Sequence, residues 1–363
     1  MSMGAVRPME DRDLPEVAAL YERVMGVKDC SGRDRLRERL MRVFVDHPWR
    51  DQRIPSRVYE EADGSIVGCL GVVPRPMTLR GRPLTAAISH SFLVQPSSRA
   101  SLAALHLVRD FLAGPQDLAM CQGDEISRKL WEMTGGATSQ IYSLCWTRPL
   151  RPSRYVLSFL RRRGLPAGAA AMLEPCCRLV DALTPRVAGR AFALPAPAED
   201  DAEMDADAMQ ALPRVTANRA LQPTYNAGTA NWMLETLTAN PERGGLHKRI
   251  VRDGDRTLGW YLYFLQADGM AEVIQIAADD TTIDTVLDHL FHQAAADGAL
   301  AVSGQVDPML FRALAGRQVV FHHENDSWML IHARDPEIRS AIDTGRAFIS
   351  RMEGEWWISA LLR

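Results

Sequence analysis

The pattern of apolar and polar positions occurs twice along the chain. In each copy, two alternating runs that predict β-strands are followed by a helical pattern. These segments are 65–73, 86–94 and 96–104 in the first copy, and 257–263, 271–276 and a stretch opening near 281 in the second. Matching segments lie roughly 180 to 190 residues apart, a spacing that indicates a duplicated unit.

Both copies continue as strand, helix and strand. The segments are 118–121, 126–133 and 140–147 in the first copy, and 300–303, 309–315 and 319–333 in the second. The chain opens with a short strand and a helix capped by Asp11 or Asp13, and a second amphipathic helix covers 33–45. Strands 56–60 and 65–73 are separated by a tight-turn signal and predict a hairpin. This order predicts an α/β (α+β) protein with two tandem domains, each a mixed, mostly antiparallel sheet flanked by helices.

The pattern divides the chain into four segments. They are a first domain at 1–150, a helical connector with an acidic linker at 151–214, a second domain at 215–335, and a C-terminal helix with a tryptophan-rich tail at 336–363. Apolar stretches in the connector flank the arginines 161–163. Such a segment is typical either of a helix on an anionic membrane surface or of a pair of helices joining two domains.

Composition and charge argue against nucleic acid as a partner, a transmembrane segment and a disulfide framework. The chain has 363 residues, of which 47% are hydrophobic, enough for two cores, and a net charge of −3 that offers no polycationic footprint for nucleic acid. No apolar run predicts a transmembrane segment, and the amino terminus lacks a signal-peptide core, so a cytoplasmic protein is expected. The six cysteines are scattered, which argues against a disulfide framework.

The stretch between the strand 86–94 and the following helix suits an anion. Ser97, Ser98 and Ser101 offer hydroxyl donors and Arg99 offers a cation, with no carboxylate between Leu93 and Asp110. The first N–H groups of a helix are unpaired, and the helix dipole places partial positive charge there. The sequence therefore predicts a phosphate-binding loop in the first copy.

Three segments resemble the GCN5-related N-acetyltransferase family. They are Arg7-Pro8 with Asp13-Leu14, Asp63-Gly64 with Val67-Gly68, and Val94-Gln95-Pro96-Ser97-Ser98-Arg99. The last resembles the family segment Val-x-Pro-x-x-Arg-Gly-x-Gly-x-Gly/Ala, although Ala100 and Leu102 replace glycines. The resemblance implies an acyl-CoA donor, acetyl-CoA or another, and an amine acceptor that is a small molecule, an amino sugar or a polysaccharide precursor. It implies that the donor contacts Phe92, Leu93, Val94, Ser97, Ser98, Arg99, Ala100, Ser101, Leu102 and Ala103.

The resemblance also implies direct attack of the amine on the thioester. A backbone N–H near Phe92–Val94 would polarise the thioester carbonyl. His90 is the first candidate for the base that accepts the amine proton, because an ordinary imidazole titrates near neutral pH. Asp124 and Glu125 are the next candidates, and Tyr142 is a candidate acid for the thiolate.

The second copy differs at the corresponding loop, 277–284. Asp279, Asp280 and Asp284 stand where a diphosphate would lie, so like charges would repel it. The second domain is therefore expected to keep the fold without a donor site and to shape the acceptor pocket. Histidines at 289 and 292 lack the further ligands of a metal site, so no metal is expected.

Other interpretations remain open at this point. The missing glycines favour a non-catalytic binding or assembly protein with the same fold, and an acyl-carrier protein could replace coenzyme A as the donor. A homodimer is also open.

Overall fold

The computed structural model describes residues 4–26, 30–96, 100–187, 194, 197, 199–240, 243–323 and 327–362. The strands are β1 (Ala5–Pro8), β2 (Arg57–Glu60), β3 (Ile66–Leu79), β4 (Arg82–Val94), β5 (Leu118–Gly123), β6 (Ala137–Ser139), β7 (Leu144–Pro149), β8 (Asp200–Glu203), β9 (Leu221–Pro223), β10 (Gly245–Asp253), β11 (Arg256–Leu265), β12 (Met270–Ala278), β13 (Ala301–Gln305), β14 (Val320–His323) and β15 (Trp328–Ala333). The helices are α1 (Leu14–Met25), α2 (Cys30–Phe44), α3 (Ala100–Leu112), α4 (Glu125–Met133), α5 (Pro152–Arg162), α6 (Ala167–Val187), α7 (Ala206–Met209), α8 (Leu212–Val215), α9 (Ala227–Thr238), α10 (Ile283–Ala296), α11 (Phe311–Ala315), α12 (Pro336–Asp343) and α13 (Trp356–Leu362).

The chain forms two compact units, each with its own mixed sheet. Unit 1 comprises Met1–Gln140, Arg219–Met233 and Asn325–Arg363, and unit 2 comprises Ile141–Asn218 and Leu234–Glu324. The sheet of unit 1 has the order β1-β2-β3-β4-β5-β15-β6, with β9 also paired to β3. The sheet of unit 2 has the order β14-β7-β13-β12-β11-β10-β8. The expected fold class, two mixed sheets flanked by helices, is confirmed.

Each sheet contains strands from both halves of the chain, so the units differ from the consecutive domains expected at 1–150 and 215–335. The expected strand 140–147 is a strand only in its second half: β6 of unit 1 ends before it at Ser139, a 3₁₀ turn covers Ile141–Ser143, and β7 of unit 2 begins at Leu144. The expected strand 319–333 is two strands, β14 in unit 2 and β15 in unit 1. Apolar alternation predicts that a segment is a strand, but it does not say which sheet the strand joins.

Helix α3 covers one face of the unit 1 sheet. Ala103, Leu107 and Phe111 recur every fourth residue and are buried, as expected for the core-facing stripe of a helix. They belong to one apolar cluster with Leu70 and with Leu330 of β15. We call β7 and β15 the exchanged strands, because β7 from the first half of the chain joins the sheet of unit 2 and β15 from the second half joins the sheet of unit 1. The exchanged strand β15 is therefore part of the core that positions α3.

The core of unit 2 is built around helix α10. Val286, Leu290 and Ala294 form its buried stripe, and Phe291 packs edge-on against Trp146 with ring centroids 5.9 Å apart. Trp146 lies on the exchanged strand β7 and donates its indole N–H to the carbonyl of Gln305 at 3.2 Å. Both exchanged strands thus contribute fully buried side chains to the core of the unit they join.

The connector expected at 151–214 begins with two helices of unit 2. Asp181 on α6 accepts hydrogen bonds from the backbone of Ser153 at 2.8 Å and Arg154 at 3.2 Å, which holds the start of α5. The two helices leave a set of large apolar side chains exposed: Val156, Phe159, Leu160, Met172, Leu173, Leu179, Val180 and Leu183. Across the residues that are described, none of the helices combines the length and apolarity that crossing a bilayer requires.

Candidate active site

The site begins where two central strands of unit 1 separate. Strands β4 and β5 pair in parallel from Ala86 with Leu118 to Ile88 with Met120. The pairing ends there, although β4 continues to Val94 and β5 to Gly123. Backbone N–H groups that lose a sheet partner need another acceptor when they are buried. The gap between these two strand ends, called here the strand gap, is therefore a place where an acceptor group is required.

A β-bulge marks the β4 side of the strand gap. Gly71 pairs with His90 and Cys69 pairs with Leu93, so Ser91 and Phe92 together oppose Leu70. Ser91 has a φ of 48°, in the left-handed region that residues other than glycine rarely adopt. Bulges and such strained residues are concentrated next to functional sites, where they redirect backbone groups.

The strand gap contains the carboxylate of Glu355. Its Oε2 accepts from the backbone N–H of Gln122 on β5 at 3.1 Å and from the Cys121 thiol at 3.5 Å. The backbone N–H of Ser91 at the bulge also donates to this carboxylate. On the other oxygen, the Ser359 hydroxyl lies 3.4 Å from Oε1. One half-buried carboxylate thus holds amides from both separated strands.

Burial raises the pKa of Glu355 to about 7, although the hydrogen bonds from Gln122, Cys121, Ser359 and Ser91 act in the opposite direction. Burial disfavours the charged form, and this effect outweighs those bonds. A carboxyl group with this pKa is partly protonated at neutral pH. It can both accept and return a proton there.

We expect Glu355→Gln to increase the free energy of unfolding at pH 8. The folded pKa of about 7 lies above the ordinary value of 4.5, so between these values the folded state binds more protons than the unfolded state, and stability falls as the pH rises. The neutral amide avoids that cost, and the gain at pH 8 is up to about 3 kcal/mol, since one pKa unit is worth about 1.4 kcal/mol. Urea unfolding of both proteins from pH 4 to 8 measures the difference. A difference that stays constant over this range would contradict the assigned pKa.

A ring of three tryptophans holds the tail that carries Glu355. Trp357 is buried, and its ring centroid lies 5.8 Å from that of Trp232 and 6.4 Å from that of Trp49. Arg75 stacks on Trp49 with its guanidinium carbon 4.4 Å from the ring centre, and it donates to the carbonyl of Met352 at 3.2 Å. These contacts fix the position of residue 355 against β4 and β5.

His90, the first sequence candidate for the base, is a core residue on β4. Its side chain is 1% exposed, and its ring packs edge-on against Phe44 with centroids 4.8 Å apart. Burial lowers its pKa to about 3, with a further contribution from nearby His47. An imidazole with that pKa is a weak proton acceptor at neutral pH, so its environment disfavours the role the sequence suggested.

Gly71→Ala is expected to destabilise the protein by about 1–3 kcal/mol, the usual cost of overpacking a core. A Cβ added at Gly71 would lie 2.3 Å from the imidazole of His90, which is itself enclosed. Gly168→Ala is the matched control, because a Cβ there meets no atom within 4 Å. Thermal and urea unfolding of the two variants should show a loss only for Gly71→Ala. Equal stabilities would mean that His90 can move aside.

The other candidates for proton transfer have local structural partners. Asp124 accepts from the backbone N–H of Ser127 at 2.8 Å and caps helix α4. Glu125 lies 2.7 Å from Arg128, and that hydrogen bond is the main cause of its lowered pKa. Tyr142 is buried within unit 2, and its carbonyl accepts from the side-chain amide of Gln305 at 2.8 Å. In the described part of unit 1, the hydrogen-bond partners found for Glu355 are Gln122, Cys121, Ser91 and Ser359, and they do not include Asp124 or Glu125.

The residues expected to bind the donor lie along β4 and the start of α3. Phe92 and Val94 are half-buried beyond the bulge and Leu93 is buried. Ser97, Ser98 and Arg99 lie outside the described residues. Ala100 and Ser101 form the first positions of α3, followed by Leu102, which is 50% exposed, and Ala103, which is buried. The phosphate-binding loop therefore stays a prediction, placed directly before a helix of 13 residues.

The corresponding loop of unit 2 binds its own carboxylate. Asp279 accepts from the backbone N–H of Thr281 at 2.8 Å and of Thr282 at 3.0 Å. Burial alone would raise the pKa of Asp279, but hydrogen bonds from Thr281 and Thr282 outweigh it and lower the pKa. An acidic side chain thus occupies the amides that a phosphate would use, as the acidic sequence of this loop suggested.

A small cavity of about 220 Å³ lies in unit 1 beside the loop that follows α2. Its walls combine apolar side chains such as Phe44 and Ile54 with the carboxylates of Asp11 and Asp51. Both carboxylates are paired, Asp11 with Arg50 of the same wall at 2.5 Å and Asp51 with Arg53 at 2.7 Å, so the walls combine apolar surface with ion pairs. Within the described part of the chain, no three His, Cys, Asp or Glu side chains converge as metal ligands.

The sequence matches no protein-family model and no curated protein sequence. Its fold, however, is that of the GCN5-related N-acetyltransferases. A probable N-acyltransferase from Enterococcus faecalis V583 is similar over 92% of this chain and 73% of its own, with a TM-score of 0.59 and 10% identity. A GCN5-related N-acetyltransferase from Kribbella flavida is similar over 90% and 71%, with a TM-score of 0.56 and 14% identity. The Saccharomyces cerevisiae N-myristoyltransferase with bound myristoyl-CoA is similar over 96% and 84%, with a TM-score of 0.50 and 11% identity.

Proposed function

We propose that the protein is an acyl-CoA-dependent N-acyltransferase whose active site is the strand gap of unit 1. The observation that carries the proposal is the separation of β4 from β5 after Ile88, next to a bulge at Ser91 and immediately before α3. In this proposal the backbone N–H groups of Phe92–Val94 polarise the thioester carbonyl, because the amides of Ser91 and Gln122 already donate to Glu355. Such preorganised donors stabilise the negative charge that develops on that oxygen during acyl transfer.

The proposed donor is acetyl-CoA or another acyl-CoA. Its pantetheine arm would follow Phe92–Val94, and its diphosphate would meet the loop 97–99 and the first amides of α3. The fold neighbours support this class of donor, since two carry N-acyltransferase or N-acetyltransferase names and the third holds myristoyl-CoA. Unit 2 binds no donor in this proposal, because Asp279 caps the corresponding amides.

The proposed acceptor is the amine of a small molecule, an amino sugar or a polysaccharide precursor. The cavity beside Asp11 and Asp51 supports an acceptor of small size, because its volume is about 220 Å³. Cysteines 69, 121, 145, 176 and 177 are free thiols, which fits the reducing cytoplasm as the proposed location.

One observation favours a non-catalytic protein as the second candidate. Leu102 takes the place of a glycine near the start of α3, and its side chain is 50% exposed there. A side chain at this position can keep a diphosphate from approaching the helix backbone. The second candidate predicts no binding of coenzyme A thioesters at all.

A turnover assay separates the two candidates. Purified protein is incubated with acetyl-CoA and a panel that includes glucosamine, a polyamine and an aromatic amine, and free thiol and acylated product are measured by absorbance and mass spectrometry. The proposal predicts acylated product from at least one amine or, without amine, thiol release faster than in buffer. If neither product nor accelerated thiol release is found with acetyl-CoA or a long-chain acyl-CoA, the proposed function is wrong.

A further inference from the structure

We propose that Glu355 is the general base of the strand gap, the group that takes the proton from the attacking amine. The inference rests on the proposed function and deepens it by naming a catalytic residue. Glu355 comes from the C-terminal tail, more than 200 residues after β4 and β5, and reaches the gap because the tryptophan ring anchors the tail.

The position of the carboxylate relative to β4 supports this role. Ser91 donates its backbone N–H to Glu355, and the amides proposed to polarise the thioester belong to the residues that follow directly, Phe92–Val94. Successive residues of a strand are about 3.3 Å apart, so the carboxylate accepts from an amide one to three residues away from those of Phe92–Val94. A base must be within hydrogen-bond reach of the proton it removes, and in this proposal the attacking amine lies between Glu355 and the thioester carbon.

The titratable groups around Glu355 leave it free to exchange a proton. On β5, Cys121 donates its thiol to the carboxylate, and burial raises the pKa of that thiol well above its usual value, so it stays protonated. Asp124 is the other charged group near this thiol, and it caps α4. From the tail itself, Ser359 contributes only a hydroxyl. Among the described residues, the groups that donate to Glu355 are two backbone amides, a thiol and a hydroxyl, and none of these carries a positive charge.

The proton and electron balance of the step is complete without another reactant. The amine lone pair forms the C–N bond as the thioester C=O opens to a tetrahedral oxyanion, and Glu355 accepts the proton that the nitrogen loses. The oxyanion then re-forms the C=O, the C–S bond breaks, and the thiolate of coenzyme A leaves. Glu355 returns the proton to that sulfur, directly or through solvent, and is ready for the next turnover.

The neighbouring acid of the tail makes a useful comparison. Glu353 is also buried, but it is enclosed by hydrogen bonds from Tyr225 and from the backbone of Ser350, the latter at 2.9 Å. These contacts fix the turn of the tail. Its role is structural, whereas Glu355 contacts both strands at the point where they separate.

The test compares the wild type with Glu355→Gln and Glu355→Asp. Acetyl-CoA is the donor, and glucosamine and water serve as acceptors, so that thiol release is measurable even if glucosamine is not accepted. Thermal stabilisation by acetyl-CoA is measured in parallel on each protein. For Glu355→Gln we expect unchanged stabilisation and a loss in kcat of about 100-fold to 10,000-fold, the usual contribution of a general base. For Glu355→Asp we expect partial activity.

The pH profile provides a readout that a structural role would not change. We expect the wild-type rate to fall below pH 7 as Glu355 becomes protonated, the aspartate variant to keep such a limb at a different pH, and the glutamine variant to lose it. Equal rates for the wild type and Glu355→Gln, or an unchanged acid limb in Glu355→Gln, would overturn the assignment. Wild type that binds acetyl-CoA without accelerating thiol release would overturn it too. Absence of acetyl-CoA binding would instead refute the proposed function.

Discussion

Residues 1–150 expressed alone are expected to remain without a native fold. In this fragment β5 would lose β15, the strand that lies between β5 and β6 in the complete sheet. The core beneath α3 would lose Leu330, and Trp131 would lose the carbonyl of Ile331, to which its indole N–H donates at 3.0 Å. Strand β7 would in turn lose both of its partners, β13 and β14. A typical domain has a net stability of only about 5–15 kcal/mol, so the loss of a central strand together with its core contacts is expected to prevent folding.

Circular dichroism and a two-dimensional amide NMR spectrum of the fragment test this expectation. Co-expression of 1–150 with 151–363 is the control, because it restores the strands that each unit shares between the two halves. We expect the pair to copurify and to regain cooperative unfolding. A fragment 1–150 that alone gives dispersed amide signals and unfolds cooperatively would contradict the strand exchange.

The fold class followed from the sequence because periodicity is a local property. Alternating runs such as 65–73 and the helical spacing of residues 103, 107 and 111 are visible without any partner. The exchange of strands was not visible, since β7 and β15 are ordinary apolar runs that fit either sheet. The segment 140–143 that separates β6 from β7 contains no glycine or proline to signal the end of a strand.

Only part of the candidate site could be predicted from the sequence. The order of the elements and the loop at 97–99, which has hydroxyl groups and a cation but no carboxylate, predicted a site between the end of β4 and the start of α3. The proposed base did not, because Glu355 is distant in sequence and its importance depends on where the tail packs. The signal that was present is two acids beside two tryptophans, residues 353–357, since the ring of Trp357 anchors the segment that carries Glu355. The sequence suggested His90 instead, because it does not show that the imidazole is buried or that burial lowers its pKa.

Arg99→Glu is expected to weaken acetyl-CoA binding about 100-fold or more. A hydrogen bond to a charged group contributes about 1.5–3 kcal/mol, and the reversed charge adds repulsion, while about 1.4 kcal/mol is a factor of ten in affinity. At an acetyl-CoA concentration of 100 times the wild-type Kd, stabilisation should fall from about 2.7 kcal/mol to about 0.4 kcal/mol. Arg178→Glu is the matched control, because it makes the same change in net charge at a 67% exposed side chain on α6.

Calorimetric titration of the full chain with acetyl-CoA tests the central claim most directly. We expect saturable binding of one molecule per chain, because the proposed donor site lies in unit 1 and the amides of the unit 2 loop are capped by Asp279. Binding should be lost in Arg99→Glu and retained in Arg178→Glu. No binding by the wild type, or binding that Arg99→Glu leaves unchanged, would contradict an acyl-CoA site at the start of α3.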